Sequence, residues 1–175
     1  RFPGDAATSE LLLRAADTAL YHAKSQERGQ FCYFEAPMDE RQRERSQIEL
    51  ELRQAIAADQ IVPFFQPLVD LKSGDIVGFE ALARWHHPER GLVSPDAFIP
   101  VAEECGLIND LSLSILRQGC LSALNWGPAI GLSINLSPVQ FSDKWLAEKV
   151  LGVLVETGFP AQRLEVEITE NALVK

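Results

Sequence analysis

From residue 94 onward the chain alternates between two periodicities, and this alternation constrains the fold more than any other feature. Ser94-Pro95-Asp96 reads as a helix start with Pro in its first turn, followed by AFIPVAEECG and closed by Gly106. Pro100 falls within or at the end of a turn of that segment. Residues 107–126 place Ile108, Leu111, Ile115, Leu116 and Leu124 at helical spacing and stop at Gly127-Pro128. A short apolar strand, IGLSINL, follows at residues 130–136. Next come a helix over residues 143–157, bounded by Gly158 and Pro160, and a last strand, RLEVEITE, at 163–170. Strands joined through helices pair by crossovers, so the pattern predicts an α/β architecture with parallel strands.

The segment before this block reads differently. IVPFFQPLV, residues 61–69, is strand-like, although Pro63 and Pro67 interrupt its row of donors. Ser73-Gly74-Asp75 supplies a turn, and Ile76, Val77 and Phe79 bring the chain back, which predicts an antiparallel hairpin. Its second strand ends in Glu80, with Arg84 four residues on. A carboxylate at the end of an apolar strand is costly to bury unless something positive meets it. A structural pair with Arg84 would satisfy it, and so would a bound cation.

The first sixty residues divide in two. TSELLLRAADTALYHAKSQE, residues 8–27, predicts a helix capped by Thr8 or Ser9, with Gly29 as its stop signal. FCYFE, residues 31–35, is strand-like. A helix with one short strand has no sheet to lie on, so the rest of that domain is expected upstream of Arg1. The opening, RFPGDAATSE, has neither an initiator Met nor a signal-peptide layout, and reads as a cut inside a longer protein. Pro37 breaks the pattern, and MDERQRERSQIELELRQAIAADQ then predicts a charged helix with Ile48, Leu52 and Ile56 on one face and Leu50 off it. The boundary is placed near residues 36–44, giving a first unit at 1–36, a connector helix at 37–60 and a second domain at 61–175.

A net charge of −9 argues against binding a nucleic-acid polymer, which needs clustered Lys and Arg. An anionic small ligand is still compatible if a metal and local arginines reverse the field at the site. Cys32, Cys105 and Cys120 are odd in number and lack CxxC spacing, which points to a reducing compartment rather than a disulfide framework or a zinc site. No apolar run approaches the roughly 20 residues of a membrane span.

Three polar residues stand at or near strand ends: Glu80, Asn135 and Glu167. The carboxyl ends of strands face the active site in α/β barrels and open α/β sheets. Two carboxylates and an amide oxygen form the hard oxygen set that Mg²⁺ or Mn²⁺ prefers. Asn135, flanked by Ile134 and Leu136, needs a partner: a metal, a substrate, or the turn it caps with Ser137. Glu165, Glu167 and Glu170 step along the last strand, and periodicity does not choose among them. The His86-His87 pair predicts a loop-stabilising or solvated role, since adjacent residues of an extended chain point to opposite faces. Trp85, Trp126 and Trp145 read as packing residues.

At these residues the chain resembles a known family. FFQPLVDLKSGDIVGFEALARWHHPERGLVSPDAFIPVAEECGLI resembles the start of an EAL domain, the bacterial phosphodiesterase of cyclic di-GMP, and Glu80-Ala81-Leu82 is the naming motif. NLSPVQF (135–141) and EITE (167–170) match the next two family motifs in order, and the resemblance covers residues 45–175. AADTALYHAKSQERGQ resembles the final helix of a GGDEF domain, the cyclic di-GMP synthase, with Lys24 and Arg28 where that family places cations near a nucleotide triphosphate. Glu27 and Gly29 depart from its usual Gly-Arg-Asn ending, and the GGDEF signature itself is absent, so no cyclase activity is implied.

The EAL resemblance implies a modified (β/α)₈ TIM-type barrel with an antiparallel first strand, of which this chain would be the first half. It implies Glu80, Asn135 and Glu167 as ligands of one or two divalent metals, Mg²⁺ or Mn²⁺, that activate water against one phosphodiester of cyclic di-GMP, yielding linear pGpG. It further implies Arg84 as a clamp on a substrate phosphate, Gln66 and Leu82 as substrate neighbours, and Glu170 as the support of a later active-site loop. The family's paired aspartates, catalytic lysine and later glutamates would lie beyond Lys175, so little or no hydrolase activity is expected of these residues alone. A homodimer through EAL domains and a cytoplasmic setting are implied too, any membrane tether belonging to upstream segments. The other class left open is a degenerate EAL module that binds cyclic di-GMP or a partner protein without cleaving it.

Overall fold

The computed structural model describes residues 7–26 and 31–168. The chain divides into two compact units, Arg1–Ile48 and Glu49–Lys175. In the first, helix α1 (Ser9–Gln26) starts at Thr8, whose hydroxyl accepts a hydrogen bond from the Leu11 amide at 3.3 Å. Its buried stripe is Ala15, Ala19 and Ala23, and Cys32 donates its thiol proton to the Ala19 carbonyl. Residues 31–35 do not form the strand expected of FCYFE, for no strand among the described residues lies beside them to complete a ladder. Helix α2 (Ala36–Ala57) contains Pro37 in its first turn, where the missing N–H costs nothing, so the proline opens the helix rather than breaking a pattern. Asp39 accepts a hydrogen bond from Thr18 at 3.0 Å. Ile48 and Leu52 are buried as their spacing predicts, and Leu50 is exposed.

The second unit is built on one mixed sheet. Strands β1 (Ile61–Val69) and β2 (Ile76–His87) form the expected antiparallel hairpin, in register from Ile61 opposite Trp85 to Val69 opposite Ile76 with a bulge at Leu68/Val69. Asp70 organises the turn by accepting from the Lys72 and Ser73 amides, and these two donors hold its carboxyl below the usual carboxylate range. β2 runs seven residues past Glu80, which corrects the expectation that the strand ends there. The extension is held by β1 on one side and, on the other, by the short strand β3 (Gly91–Val93), which pairs with Trp85–His87 and was not expected. Strand β4 (Gly131–Leu136) lies parallel to β2, and β5 (Leu164–Ile168) parallel to β4. The resulting order is β1-β2-β4-β5.

Between β3 and β4 the chain forms α3 (Pro95–Glu104) and α4 (Ile108–Ala123), and between β4 and β5 it forms α5 (Leu146–Thr157). Pro100 sits inside α3 without ending it. One sheet face meets these helices. Trp85, fully buried, packs edge-on against Phe98 of α3 at 5.8 Å. Gly119 lets α4 approach so closely that an added Cβ would stand 3.4 Å from Leu132. Trp126, just past α4, packs on Phe65 and Phe79. Trp145 is exposed under the Lys144 ammonium, which corrects its reading as a packing residue. No helix among the described residues is long and apolar enough to cross a membrane.

Candidate active site

Side chains alternate along a strand, so a buried helix-facing set fixes what the other face carries. With Ala81, Trp85, Leu132 and Ile134 turned to the helices, the opposite face presents Gln66, Glu80, Leu82, Arg84, Ser133, Asn135 and Glu167. Gln66 stands opposite Glu80 across β1/β2, Glu80 opposite Ser133 across β2/β4, and Asn135 opposite Glu167 across β4/β5. Three adjacent strands therefore bring Glu80, Asn135 and Glu167 together, although 32 to 55 residues separate neighbouring members in the chain. Glu170 lies outside the described residues, as does Arg28.

The contacts are diagonal. The Asn135 side-chain amide donates to Glu80 Oε1 at 2.5 Å. Ser133 donates its hydroxyl to Glu167 Oε1. Asn135 thus does not cap the turn after its strand; Ser137 does, accepting from the Val139 amide while Gln140 reaches back to the Ser137 amide at 2.9 Å. Glu80 is partnered by Asn135, while Arg84 donates to the Ala83 carbonyl at 2.8 Å and holds its guanidinium 5.9 Å from the Phe64 ring. Asn135 and Gln66 are exposed, and Glu80, Leu82, Arg84 and Glu167 are half-buried.

The pairing of β2 with β4 stops at Ala81/Ile134. Glu80 is thus mid-strand in its hairpin yet stands at the carboxyl end of the parallel pairing, the place where α/β sheets bind ligands. Two carboxylates and an amide oxygen on one face of adjacent strands are the kind of donor set that a hard divalent cation takes.

The two histidines separate as alternation requires. His87 is buried: Nδ1 accepts from the Glu89 and Arg90 amides and Nε2 meets Glu51 at 2.9 Å, so it stabilises the loop after β2. His86 is exposed on the site face, 5.8 Å from Phe64. Sequence reasoning missed Ser133, whose serine-x-asparagine spacing with Asn135 puts both on one strand face. It also missed Gln140, whose place three residues after Ser137 marks a capping box.

The family model of the EAL domain matches residues 49–175. The chain belongs to the EAL domain family. Among curated relatives, the bifunctional diguanylate cyclase/cyclic di-GMP phosphodiesterase MucR of Pseudomonas aeruginosa is 36% identical over 178 residues, covering 99% of this chain and 26% of that protein. The cyclic di-GMP phosphodiesterase PdeR of Escherichia coli is 36% identical over 176 residues, again 99% of this chain and 26% of that protein. This EAL chain thus spans about a quarter of the length of those relatives. Among solved structures, the phosphodiesterase of Pseudomonas aeruginosa MucR in complex with c-di-GMP superposes with a TM-score of 0.68 at 34% identity, covering 74% of this chain and 54% of that one. The mixed sheet with its antiparallel first strand is the EAL fold.

Proposed function

We propose that the protein carrying this EAL domain hydrolyses cyclic di-GMP to linear pGpG, with Glu80, Asn135 and Glu167 holding one or two Mg²⁺ or Mn²⁺ ions. The observation that carries the reading is the convergence of those three oxygen donors on adjacent strands, with Asn135 bonded to Glu80. The family membership and the likeness to MucR and PdeR support it. When bound, such a cation would lower the pKa of a coordinated water and offset charge on the phosphate. Glu80 and Glu167 supply the negative charge that retains it, and the Ser133 hydroxyl orients the Glu167 carboxylate. Arg84 offers a planar fork for a phosphate oxygen pair, two residues beyond Leu82 and on the same face as Gln66. Gln66 and Leu82 line the substrate's path beside it, and Glu170 supports a loop beyond. Upstream, residues 1–36 are the end of a GGDEF domain and α2 is the connector. The intact protein works in the cytoplasm as a dimer through its EAL domains.

Replacing Glu80 with Ala in the intact protein tests this. Release of pGpG in the presence of Mn²⁺ should fall by at least 10²-fold, a loss of about 2.7 kcal/mol in transition-state stabilisation. Turnover at the parental rate would overturn the ligand role. Tight binding of cyclic di-GMP by the parent without turnover would instead mark a receptor.

A further inference from the structure

Asn135 occupies an exposed point of the ladder. β4 is still paired with β5 there, while its register with β2 ends one residue earlier, at Ala81/Ile134. The chain then enters the 3₁₀ turn Pro138–Ser142, capped by Ser137. A cavity of about 370 Å³ adjoins this turn, lined in part by Ile99, Ile108, Leu111, Leu136, Ser137 and Pro138.

A polar chain does the holding. Gln140 is fully buried, and its Oε1 accepts from the Ser137 amide at 2.9 Å and from the Ser112 hydroxyl of α4 at 3.1 Å. Its Nε2 donates to Asn109 Oδ1 at 3.0 Å. Asn109 in turn donates to Asp143 at 3.2 Å, and Asp143 is also bonded by Lys149, whose ammonium leads the groups that keep this carboxyl below its usual range. From the other side Ser137 donates its hydroxyl to Glu103 of α3 at 2.6 Å. Ser137, two residues after Asn135, is thus tied to α3 through Glu103 and to α4 through Gln140, whose loss would leave buried groups unpaired.

We propose that Gln140, assisted by Glu103, is a positioning residue for the cation site: it anchors the turn after β4 and so fixes where Asn135 meets Glu80. This inference rests on the reading of Asn135 as a metal ligand. Outer partners of ligating groups typically change metal affinity 10- to 100-fold when removed.

The test is titration calorimetry of Mn²⁺ into the intact protein, with no substrate present. Gln140→Ala and Glu103→Ala should each weaken Mn²⁺ binding by about 10-fold or more. Glu103→Gln keeps an acceptor for Ser137 and should restore affinity to within about twofold of the parent. Leu116→Ala, a core truncation on α4, serves as the comparison for stability: a lower Tm with parental Mn²⁺ affinity is expected. Parental affinity in folded Gln140→Ala, or an equal loss in Leu116→Ala, overturns the proposal. Asn135→Ala separates the two readings. If it binds Mn²⁺ as the parent does, the ligand role of Asn135 falls and the positioning role with it. If it weakens binding while Gln140→Ala does not, only the positioning role falls.

Discussion

A single atom can record how deeply a helix is embedded. The thiol of Cys120 is fully buried in α4, and desolvation pushes its pKa up to about 11, the Thr157 hydroxyl pulling it slightly the other way. Folding therefore favours the protonated thiol. The contribution is complete below pH 9.0, the ordinary value, and is lost as pH rises through about 11, a change of roughly 3 kcal/mol. The urea midpoint should accordingly fall between pH 9 and 11, and Cys120→Ala should flatten that slope. At pH 8 a disulfide exchange reagent should label the half-buried Cys32 and Cys105 but reach Cys120 only after unfolding. The sequence showed three cysteines without metal spacing. Their differing accessibility came only from where α1, α3 and α4 lie.

At the scale of elements, the seam between β2 and β4 is the part the site depends on. Gly78 and Gly131 face each other across it, and a Cβ on Gly78 would stand 3.1 Å from the Gly131 carbonyl oxygen. Backbone cannot yield as a flexible side chain can, so the strands themselves must shift. Gly78→Ala should cost about 1–3 kcal/mol in chemical denaturation. It should also weaken Mn²⁺ binding, because Glu80 lies two residues along the displaced strand. A stability change below about 0.5 kcal/mol would show that the seam relaxes freely. The existence and type of these strands were legible from period and turn residues. The end of β2 was not: Arg84, His86 and His87 carry no strand signal in isolation, and the segment is extended where β1 and β3 flank it.

In the molecule as a whole, α2 runs across the boundary between the two units, and within the second unit its later turns are tied to the sheet. Glu51 meets His87 Nε2 at 2.9 Å and Arg90 at 3.5 Å, while His87 Nδ1 holds the Glu89 and Arg90 amides. His87→Ala leaves those two amides without their acceptor, a loss of about 1–3 kcal/mol. Hydrogen exchange should quicken over residues 49–57 and 87–91 and stay slow across the β1/β2 seam; uniform protection would contradict the tie. Sequence alone determined the alternation of helices and parallel strands, the antiparallel hairpin before them, and motifs specific enough to point to the family. Those are records of local period and of residue order, which a chain carries before it folds. Tertiary structure alone decided that Glu80 lies mid-strand yet at the end of the parallel pairing, that Asn135 bonds Glu80 while Ser137 caps the turn, and that Gln140 is buried behind them. Each depends on which strand or helix arrives alongside, since a ladder ends where its neighbour leaves and a buried polar group is satisfied only by what packs against it.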